Sequence, residues 1–431
     1  MSENRIIEPA GALRGEITVP GDKSISHRSI MFGSLAAGTT RVEGFLTGED
    51  NLATLKAFEA MGVTIRRTGQ TSLEIAGRGL EGLQEPADVL DCGNSGTTMR
   101  LMTGLLSGQN FFSVLTGDRY LRRRPMKRVV GPLIAMGARI DGRAGGEQAP
   151  LAIRGGDLRP FAYTSPVASA QVKSALLLAG LYVDGETTVR EPSLSRDHSE
   201  RMLELFGADL KPFAGGVTIC GRPRLKAREV FIPGDISSAA FFLVAGLIIP
   251  GSELLIRNVG VNPSRSGIID ILRAMGGRIE LIDQRSPSGE PVADLLVTAG
   301  PLHGIEIGGD LVPRAIDELP VVSVAAALAE GRTLIRDARE LRVKETDRIA
   351  AMADGLNALG AKVEPREDGM VIKGRERLQG GKVASCGDHR IAMSFAVAAL
   401  NATGPVTIED TACTATSFPG FWDVLQSVAG K

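Results

Sequence analysis

The sequence predicts an α/β protein of two domains that is built from six copies of one unit of strands and helices. Three observations support this prediction. The length of 431 residues exceeds that of a typical single core. A helix–glycine–strand pattern recurs along the chain, and a second series of Ala- and Leu-rich helices runs in step with it.

The first repeated pattern is a small or apolar residue, a glycine and then a β-rich stretch, preceded by an amphipathic helical stretch such as 51–61 or 347–359. We interpret each glycine as the C-terminal residue of a helix, free to adopt a positive φ before the next strand. Successive copies are 75, 70, 69, 84 and 70 residues apart. The glycines are Gly62, Gly137, Gly207, Gly276, Gly360 and, in a fragment of the pattern, Gly430.

The second series consists of polar, Gly- or Ser-containing openings that lead into apolar helices. The first and fourth openings are nearly identical, VPGDKS at 19–24 and IPGDIS at 232–237. Strand and helix signals alternate within each unit, which is typical of the α/β class. The predicted openings and helices are 21–37, 94–106, 169–181, 235–248, 317–329 and 388–400.

These openings are where we expect chemistry, because a helix N-terminus offers unpaired N–H groups and the positive end of the helix dipole. If the repeats are arranged symmetrically, the helix ends can converge and attract phosphate or carboxylate groups. Ordinary capping of buried helices remains the alternative at any single opening. Capping does not explain why Lys and Arg crowd several of them.

Composition narrows the function classes. Forty-nine Lys and Arg balance 50 Asp and Glu, which disfavours nonspecific polyanion binding, and 4% aromatic residues disfavour stacking on nucleic-acid bases. The polar start of the chain, at 1–5, has no apolar region after it, and the longest apolar run, 239–250, is too short to span a membrane. We therefore expect a cytoplasmic protein that binds neither nucleic acid nor membrane. The run 239–250 is predicted to be a buried helix.

The four cysteines and four histidines are scattered without metal-binding spacing, so neither a disulfide framework nor a metal site is predicted.

The first opening carries two cations and a hydroxyl. If a helix begins near Lys23, then Ser24 and Arg28 lie four residues apart on one face, which suits an anionic ligand. A solvated basic turn is the alternative.

Further charged residues mark three other places. Arg124 ends a run of three arginines, and such a run is usually exposed to solvent. Arg124 differs because the following proline favours an extended backbone and a defined side-chain direction. In the string 342–348, Lys344 and Arg348 are predicted to share a helical face, or to belong to a salt-bridged surface helix. Asp317 and Arg390 each open an apolar helix, and Asp317 is alternatively a plain N-cap.

Together these motifs resemble the EPSP synthase family (3-phosphoshikimate 1-carboxyvinyltransferases). No single motif is specific, but their ordered set covers essentially the whole chain. The matching stretches are GDKSISHR at 21–28, NSGTTMR at 94–100, RPM at 124–126, SAQ at 169–171, RVKETDR at 342–348 and GDHR at 387–390.

The resemblance implies a particular fold: two similar domains, each of three βαβαββ-type units about a pseudo-threefold axis. One domain would be discontinuous and comprise 1–20 plus 234–431, and the other would be inserted at 21–233. Hinges would lie near 20–22 and 233–235, in the two nearly identical stretches 19–24 and 232–237, which we call the twin phrases. Closure on substrate would exclude water.

The resemblance also implies a reaction without metal or organic cofactor. The enolpyruvyl group of phosphoenolpyruvate would pass to the 5-hydroxyl of shikimate 3-phosphate, with release of phosphate, in a protein that we expect to be a monomer. Asp317 would be the general base, and Glu345 with Lys23 would move the proton of the methylene carbon.

The implied binding residues form two sets. Those for shikimate 3-phosphate are Lys23, Ser24, Arg28, Ser169, Ala170, Gln171, Arg196, Asp317 and Lys344. Those for phosphoenolpyruvate are Lys23, Asn94, Gly96, Arg124, Gln171, Arg348 and Arg390.

The chain departs from the family pattern at a few positions. Ala170 replaces a serine that many members carry, no lysine stands near Thr416, and Leu101 stands where proline is common. His27 and Ala170 resemble the branch that tolerates glyphosate, a herbicide directed at this family, yet that branch often has Ala where this chain keeps Gly96. Our hypothesis is that Gly96 leaves room for glyphosate, because a methyl group there would crowd the phosphoenolpyruvate pocket.

Three alternatives are less well supported. The sister enolpyruvyl transferase that acts on UDP-N-acetylglucosamine would carry Asn after Lys23 and a cysteine in the loop 116–128. A phosphate-loop kinase would need a glycine directly before Lys23. A non-catalytic anion-binding protein would gain nothing from the carboxylates Asp317 and Glu345.

Overall fold

The computed structural model describes residues 3–429, so Gly430 of the repeat pattern lies outside the described residues. The chain divides into two compact units. The discontinuous unit extends to Pro20 and also contains Pro233–Ser286 and the chain from Pro291 onwards. The inserted unit contains Gly21–Ile232 and the short segment Pro287–Glu290.

Helices and strands alternate along both units, with 3-10 turns at Leu121–Arg123, Pro287–Gly289, Arg339–Val343 and Thr411–Thr416. The helices are α1 (Lys23–Leu35), α2 (Glu49–Ala60), α3 (Gly96–Ser107), α4 (Lys127–Ala135), α5 (Arg143–Gly146), α6 (Ala170–Gly180), α7 (His198–Leu205), α8 (Ile236–Ile248), α9 (Gly267–Ala274), α10 (Leu311–Ala315), α11 (Leu319–Ala327), α12 (Arg348–Ala358), α13 (His389–Leu400) and α14 (Phe421–Val428). The strands are β1 (Arg5–Ile7), β2 (Arg14–Thr18), β3 (Ala37–Glu43), β4 (Thr64–Arg67), β5 (Leu73–Arg78), β6 (Leu90–Asp91), β7 (Phe112–Thr116), β8 (Arg139–Gly142), β9 (Gln148–Arg154), β10 (Phe161–Thr164), β11 (Glu186–Arg190), β12 (Leu210–Phe213), β13 (Gly216–Cys220), β14 (Glu229–Phe231), β15 (Glu253–Gly260), β16 (Arg278–Arg285), β17 (Val292–Thr298), β18 (Glu306–Ile307), β19 (Arg332–Ile335), β20 (Lys362–Arg366), β21 (Gly369–Lys373), β22 (Gly381–Ala384) and β23 (Val406–Glu409).

Within residues 3–429, six small mixed sheets confirm the predicted α/β class and the predicted repeat. Three of these sheets lie in the discontinuous unit and three in the inserted unit. Every four-stranded sheet has the same plan, one parallel pair followed by two antiparallel pairs, as in β6-β7-β9-β8. In chain order this plan is β-α-β-α-β-β. The sixth sheet, β1-β23-β22, keeps the parallel pair and one antiparallel pair.

In two sheets, the strands of the parallel pair lie on opposite sides of a long stretch of the chain. Strand β2 pairs parallel with β15 in the discontinuous unit, although α1 follows β2 in sequence. Strand β14 pairs parallel with β3 in the inserted unit, although α8 follows β14 in sequence. The chain therefore changes unit inside each twin phrase, between a strand and the helix that follows it.

The glycines of the first repeated pattern have the expected backbone. Gly62, Gly137, Gly207, Gly276 and Gly360 all have positive φ, between 79° and 113°. Each follows a helix and precedes a strand, which confirms the helix–glycine–strand interpretation.

All six predicted openings lead into helices, and five of them are capped by a side chain. The capping residues are Asp22, Ser95, Ser169, Asp235 and Asp388. Asp317 differs, because α11 begins two residues later with Glu318 at the N-cap position, so the alternative that Asp317 is a plain cap is wrong. The apolar run that begins at residue 239 lies in α8 as far as Ile248, and the residues of α8 from Ile236 to Leu247 are buried as predicted.

One helical prediction is wrong. Lys344 and Arg348 do not share a helical face, because Lys344 is extended after a 3-10 turn and α12 begins only at Arg348. The carboxylate of Asp347 accepts a hydrogen bond from the N–H of Ala350 at 3.1 Å and starts the helix there.

The segment Pro287–Glu290 groups with the inserted unit, although the sequence analysis assigns it to 234–431. The hydroxyl of Ser288 accepts a hydrogen bond from the N–H of Phe231 at 2.9 Å. The Glu290 carboxylate contacts the buried ring of His198, with 2.8 Å between Oε1 and Nδ1. The proposed hinges near 20–22 and 233–235 stay a prediction.

Helices line the buried faces of the sheets in both units. The discontinuous unit has one continuous apolar core that contains α8, α11 and α13. The inserted unit has a main core around α1 and α3 and a smaller one around α6. Within residues 3–429, no helix combines the length and apolar character needed to cross a membrane.

The twin phrases predict unequal tolerance of their glycines. A Cβ atom on Gly21 would lie 1.7 Å from the carbonyl oxygen of Gly44, which is fixed backbone. A Cβ atom on Gly234 would lie 2.8 Å from a methyl group of Val19, which can move. We expect Gly21→Ala to lower the free energy of unfolding by about 3 kcal/mol and Gly234→Ala by about 1 kcal/mol, measured by urea denaturation. Equal losses would contradict this assignment.

Candidate functional site

The first opening holds Lys23 against an acid that the sequence analysis missed. The Lys23 ammonium forms an ion pair with the carboxylate of Asp50, in the first turn of α2. The side-chain amide of Asn51 donates to the carbonyl oxygen of Lys23 at 3.0 Å. Lys23 remains partly exposed, so its charge is oriented and still accessible.

Arg28 is buried and bonded to hydroxyl groups. Its Nε donates to Ser199 and its Nη2 to Ser174, both at 2.7 Å, and its Nη1 donates to the Ser24 carbonyl oxygen at 2.9 Å. Burial without a directly bonded carboxylate lowers the pKa of Arg28 to about 10. Such a guanidinium favours an anionic ligand, because the groups to which it is hydrogen-bonded are neutral. The charges of Glu200, Asp22 and Glu290 offset part of the effect of burial. Ser24 is half-buried on the same turn of helix.

His27 links α1 to the start of α3. Its Nδ1 lies 2.7 Å from the hydroxyl of Thr54, which lies 2.7 Å from the hydroxyl of Thr98. Thr98 in turn donates to the hydroxyl of Ser95, the residue that caps α3. Burial, and then the charges of Lys23 and Arg28, lower the pKa of His27 well below its usual value. The ring is therefore neutral at pH 7.

Asn94 orients Arg124. Its side-chain oxygen accepts a hydrogen bond from Arg124 Nη2 at 2.6 Å, and its amide nitrogen donates to Asp118 at 2.7 Å. Arg124 has the extended backbone that Pro125 predicts, with φ −70° and ψ 140°. The other two arginines of the run, Arg122 and Arg123, are exposed.

Gln171 lies beside the start of α3. Its side-chain oxygen accepts from Arg100 Nη1 at 2.7 Å, and its amide donates to the Thr97 hydroxyl at 3.1 Å. Gly96 is the first residue of that helix. A Cβ atom on Gly96 would lie 2.8 Å from Arg100 Nη1 and 3.1 Å from Arg124 Nη1, so the missing side chain makes room for two guanidinium groups.

A buried ion-pair network supports the start of α6. Lys173 Nζ lies 2.8 Å from Glu191 and 2.7 Å from Glu200, and all three groups are largely buried. The other oxygen of Glu191 accepts from the N–H of Ser169 at 3.1 Å. Ala170 is the first residue of the helix. Arg196 is half-buried just before α7 and is one of the charges that act on Arg28.

Arg348 is the centre of the candidate site in the discontinuous unit. Its Nε donates to Asp388 at 2.8 Å, its Nη2 to Glu345 at 2.7 Å, and its Nη1 to Asp317 at 3.3 Å. Arg348 as a whole is 1% exposed. Burial lowers the pKa of Arg348, but the three carboxylates outweigh burial and raise it above its usual value. The proposed acid–base residues Asp317 and Glu345 are thus brought to one cation.

Two further cations approach Asp317. Lys344 Nζ lies 3.6 Å from its carboxylate, and Arg390 Nη1 donates to its carbonyl oxygen at 3.0 Å. Burial lowers the pKa of Lys344, and the charge of Asp317 offsets part of that shift. Lys344, Arg348 and Arg390 therefore surround one carboxylate, an arrangement that stabilises its ionised form.

Sequence reasoning missed the residues that hold these groups. Asp50 lies in the first turn of a helix, where the helix dipole alone is enough to account for an acid. Asp118 and Lys173 had no motif that would single them out. Within residues 3–429, no group of three or more His, Cys, Asp or Glu side chains is placed to hold a metal ion.

Comparisons with known proteins agree with the resemblance. A sequence model of the family EPSP synthase (3-phosphoshikimate 1-carboxyvinyltransferase) matches residues 7–425. A relative from Syntrophotalea carbinolica named 3-phosphoshikimate 1-carboxyvinyltransferase is 70% identical over 428 residues, which is 99% of each chain.

Two solved structures are similar in fold. EPSP synthase from Acinetobacter baumannii has a TM-score of 0.90 and 47% identity, and the alignment covers 100% of this chain and 98% of that one. The enolpyruvyl transferase NikO from Streptomyces tendae has a TM-score of 0.81 at 18% identity over 100% of this chain and 98% of that one. The second likeness shows the fold alone.

The two buried histidines predict opposite pH dependence. His27 faces Lys23 and Arg28 and has a lowered pKa, so below pH 6.5 the unfolded chain binds a proton that the folded chain does not. His198 faces Glu290, Asp22 and Arg28. Burial lowers its pKa, but Glu290 outweighs burial, so the net shift is upward and its stabilisation is lost as pH rises through the folded pKa.

We therefore expect the stability of wild type relative to His27→Asn to fall between pH 6.5 and about pH 5.5, by up to about 1.4 kcal/mol per pH unit. Relative to His198→Asn, the stability of wild type should fall as the pH rises above 6.5. Free energies of unfolding in urea across this range measure both differences. Parallel curves for wild type and the two variants would contradict the assignment.

Proposed function

We propose that this chain, which belongs to the EPSP synthase family, transfers the enolpyruvyl group of phosphoenolpyruvate to the 5-hydroxyl of shikimate 3-phosphate and releases phosphate. The observation that carries the proposal is the family match over residues 7–425, together with 70% identity to a relative named for this activity. The reaction is a step in the biosynthesis of aromatic amino acids through the shikimate pathway.

The cations of the inserted unit suit both substrates, which are multiply anionic. Arg28 is buried among hydroxyl groups and carries a charge that an anion would neutralise, and we assign it to shikimate 3-phosphate together with Ser24, Ser169, Gln171 and Arg196. Ala170 supplies no hydroxyl group to this set.

We assign the guanidinium of Arg124, with Lys23 and Gly96, to phosphoenolpyruvate. Asn94 holds Arg124 in place, so its part in this proposal is to orient the arginine.

The carboxylates of the discontinuous unit suit the proton transfers. Asp317 accepts the proton of the 5-hydroxyl as its oxygen bonds to C2 of phosphoenolpyruvate, while Glu345 or Lys23 delivers a proton to C3. In the second step, Glu345 or Lys23 takes a proton back from C3 of the tetrahedral intermediate, the C2–C3 double bond re-forms, and the C2–O bond to phosphate breaks. Lys344, Arg348 and Arg390 keep Asp317 ionised for the first step and supply positive charge for the anionic substrates.

The remaining expectations are part of the same proposal. The enzyme acts in the cytoplasm as a monomer and needs no metal or organic cofactor. Its substrates are small molecules, and neither nucleic acid nor membrane is a partner.

Replacement of Lys23 tests the reaction. Wild type incubated with shikimate 3-phosphate and phosphoenolpyruvate, without added metal, should release phosphate. Lys23→Met should lower kcat at least about 1000-fold, because it removes a charge and a proton-transfer group from the reacting centre. Its circular dichroism spectrum should match that of wild type.

Lys127→Met is the matched control, since Lys127 forms an exposed ion pair with Glu147. It should release phosphate at the wild-type rate. A well-folded wild type that releases no phosphate would overturn the proposed function.

Gly96→Ala tests the proposed phosphoenolpyruvate pocket. The added methyl group must displace the guanidinium ends of Arg100 and Arg124. We expect the KM for phosphoenolpyruvate to rise about tenfold and glyphosate to inhibit the variant at least tenfold less strongly, since each 1.4 kcal/mol of lost binding is a factor of ten. Initial rates at varied phosphoenolpyruvate and glyphosate measure both. If glyphosate fails to compete with phosphoenolpyruvate in wild type, the hypothesis about Gly96 is wrong.

A further inference from the structure

A second buried ion-pair cluster lies at the start of α11 and includes none of the residues to which the resemblance assigns a role. Glu318 is fully buried, and both of its oxygens contact Arg265 Nη1, at 3.0 and 3.3 Å. The hydroxyl group of Ser237 donates a hydrogen bond to Glu318 and accepts one from Arg265 Nη2. Arg265 Nη2 also lies 3.5 Å from Asp235, the cap of α8.

This cluster reaches the candidate site through Arg390. Nη1 of Arg390 lies 3.6 Å from Oε1 of Glu318 and donates to the carbonyl oxygen of Asp317. Glu318 follows Asp317 directly in the chain. The peptide group between them is therefore held by Arg390 at the Asp317 carbonyl oxygen and by Arg265 through the Glu318 side chain. Arg390 is buried, and its Nη2 also lies 4.0 Å from the Asp317 carboxylate.

The local geometry indicates that the Glu318 side chain pairs with these cations and does not cap its own helix. It occupies the N-cap position of α11, yet its side chain makes no capping hydrogen bond. A buried carboxylate is costly unless it is paired. Here it is paired with one cation that lies deep in the unit, Arg265, and with one that lies at the candidate site, Arg390.

We propose that Glu318, anchored by Arg265, is the positioning residue that holds the Arg390 guanidinium and the Asp317 peptide in place for phosphoenolpyruvate. This inference rests on the proposed function, because it assigns a cause to the placement of residues used there. Neither Glu318 nor Arg265 touches substrate in it.

Neutral replacement of both charges separates positioning from stability. Arg265→Met alone leaves the Glu318 carboxylate without its main buried partner and should lower the melting temperature strongly. The double variant Arg265→Met/Glu318→Met removes both charges, so its melting temperature should recover most of that loss. Its KM for phosphoenolpyruvate should nevertheless stay raised about tenfold or more, because Arg390 has lost a charged partner. The KM for shikimate 3-phosphate should change less than threefold, a small effect on the same free-energy scale.

The control is Arg257→Met/Asp294→Asn, which removes another ion pair of the same unit, 2.7 Å long, on β15 and β17. It should alter the melting temperature and leave both KM values unchanged. If the Arg265/Glu318 double variant recovers the wild-type KM for phosphoenolpyruvate along with its stability, the positioning role is wrong.

A crystal structure of the double variant provides a readout that does not depend on turnover. The Arg390 guanidinium should have moved away from the Asp317 carbonyl oxygen, which it contacts at 3.0 Å in the native chain. An unmoved Arg390 would overturn the inference whatever the activity. Absence of phosphate release from wild type would instead overturn the proposed function, and the position of Arg390 would still decide this inference.

Discussion

The pairing of buried and partly buried cations with the protein's own carboxylates is the interaction on which both candidate sites depend. Lys23 contacts Asp50, Arg348 contacts three carboxylates, and Arg390 lies beside Glu318. Without these partners the charges would have to be solvated or would lose their protons. Because the cations are already fixed and neutralised, an anionic substrate that displaces or shares a carboxylate meets a preorganised site.

Arg28 is held differently, because the groups to which it is hydrogen-bonded are neutral. Three hydrogen bonds to hydroxyl and carbonyl groups fix its direction, but none of these groups neutralises its charge. The energetic cost of this arrangement is visible in its lowered pKa. A buried guanidinium that is hydrogen-bonded to neutral groups gains from the negative charge that an anionic ligand brings.

Much of the fold could be predicted from the sequence, because repetition makes weak signals consistent. A glycine after one helix is a common feature, but the same glycine repeated at similar intervals identifies a unit. The five of these glycines that the structure describes all have positive φ. The helix openings were likewise predictable, since Asp and Ser are short-range caps. The prediction at 342–348 is wrong because charge spacing alone does not show where a helix begins, and the Asp347 cap delays the helix to Arg348.

The supporting residues could not be predicted in the same way. Asp50, Lys173 and Glu318 act through contacts between elements that are far apart in sequence, and nothing in their local pattern distinguishes them from surface charges. The division between units also escaped sequence reasoning at Pro287–Glu290, because a buried contact between His198 and Glu290 decides it.

At the twin phrases, residues that are close in sequence belong to different units, because β2 pairs with β15 and β14 pairs with β3. The carbonyl oxygen of Pro20 accepts a hydrogen bond from the N–H of Asp235 at 2.8 Å, although Asp22 is its neighbour in sequence. Each phrase is thus divided between two units, with its first half completing a sheet in one and its second half starting a helix in the other. The backbone of Pro20 is therefore bonded directly to a residue more than 200 positions away. At these two points the covalent order of the chain is a poor guide to which residues act as neighbours.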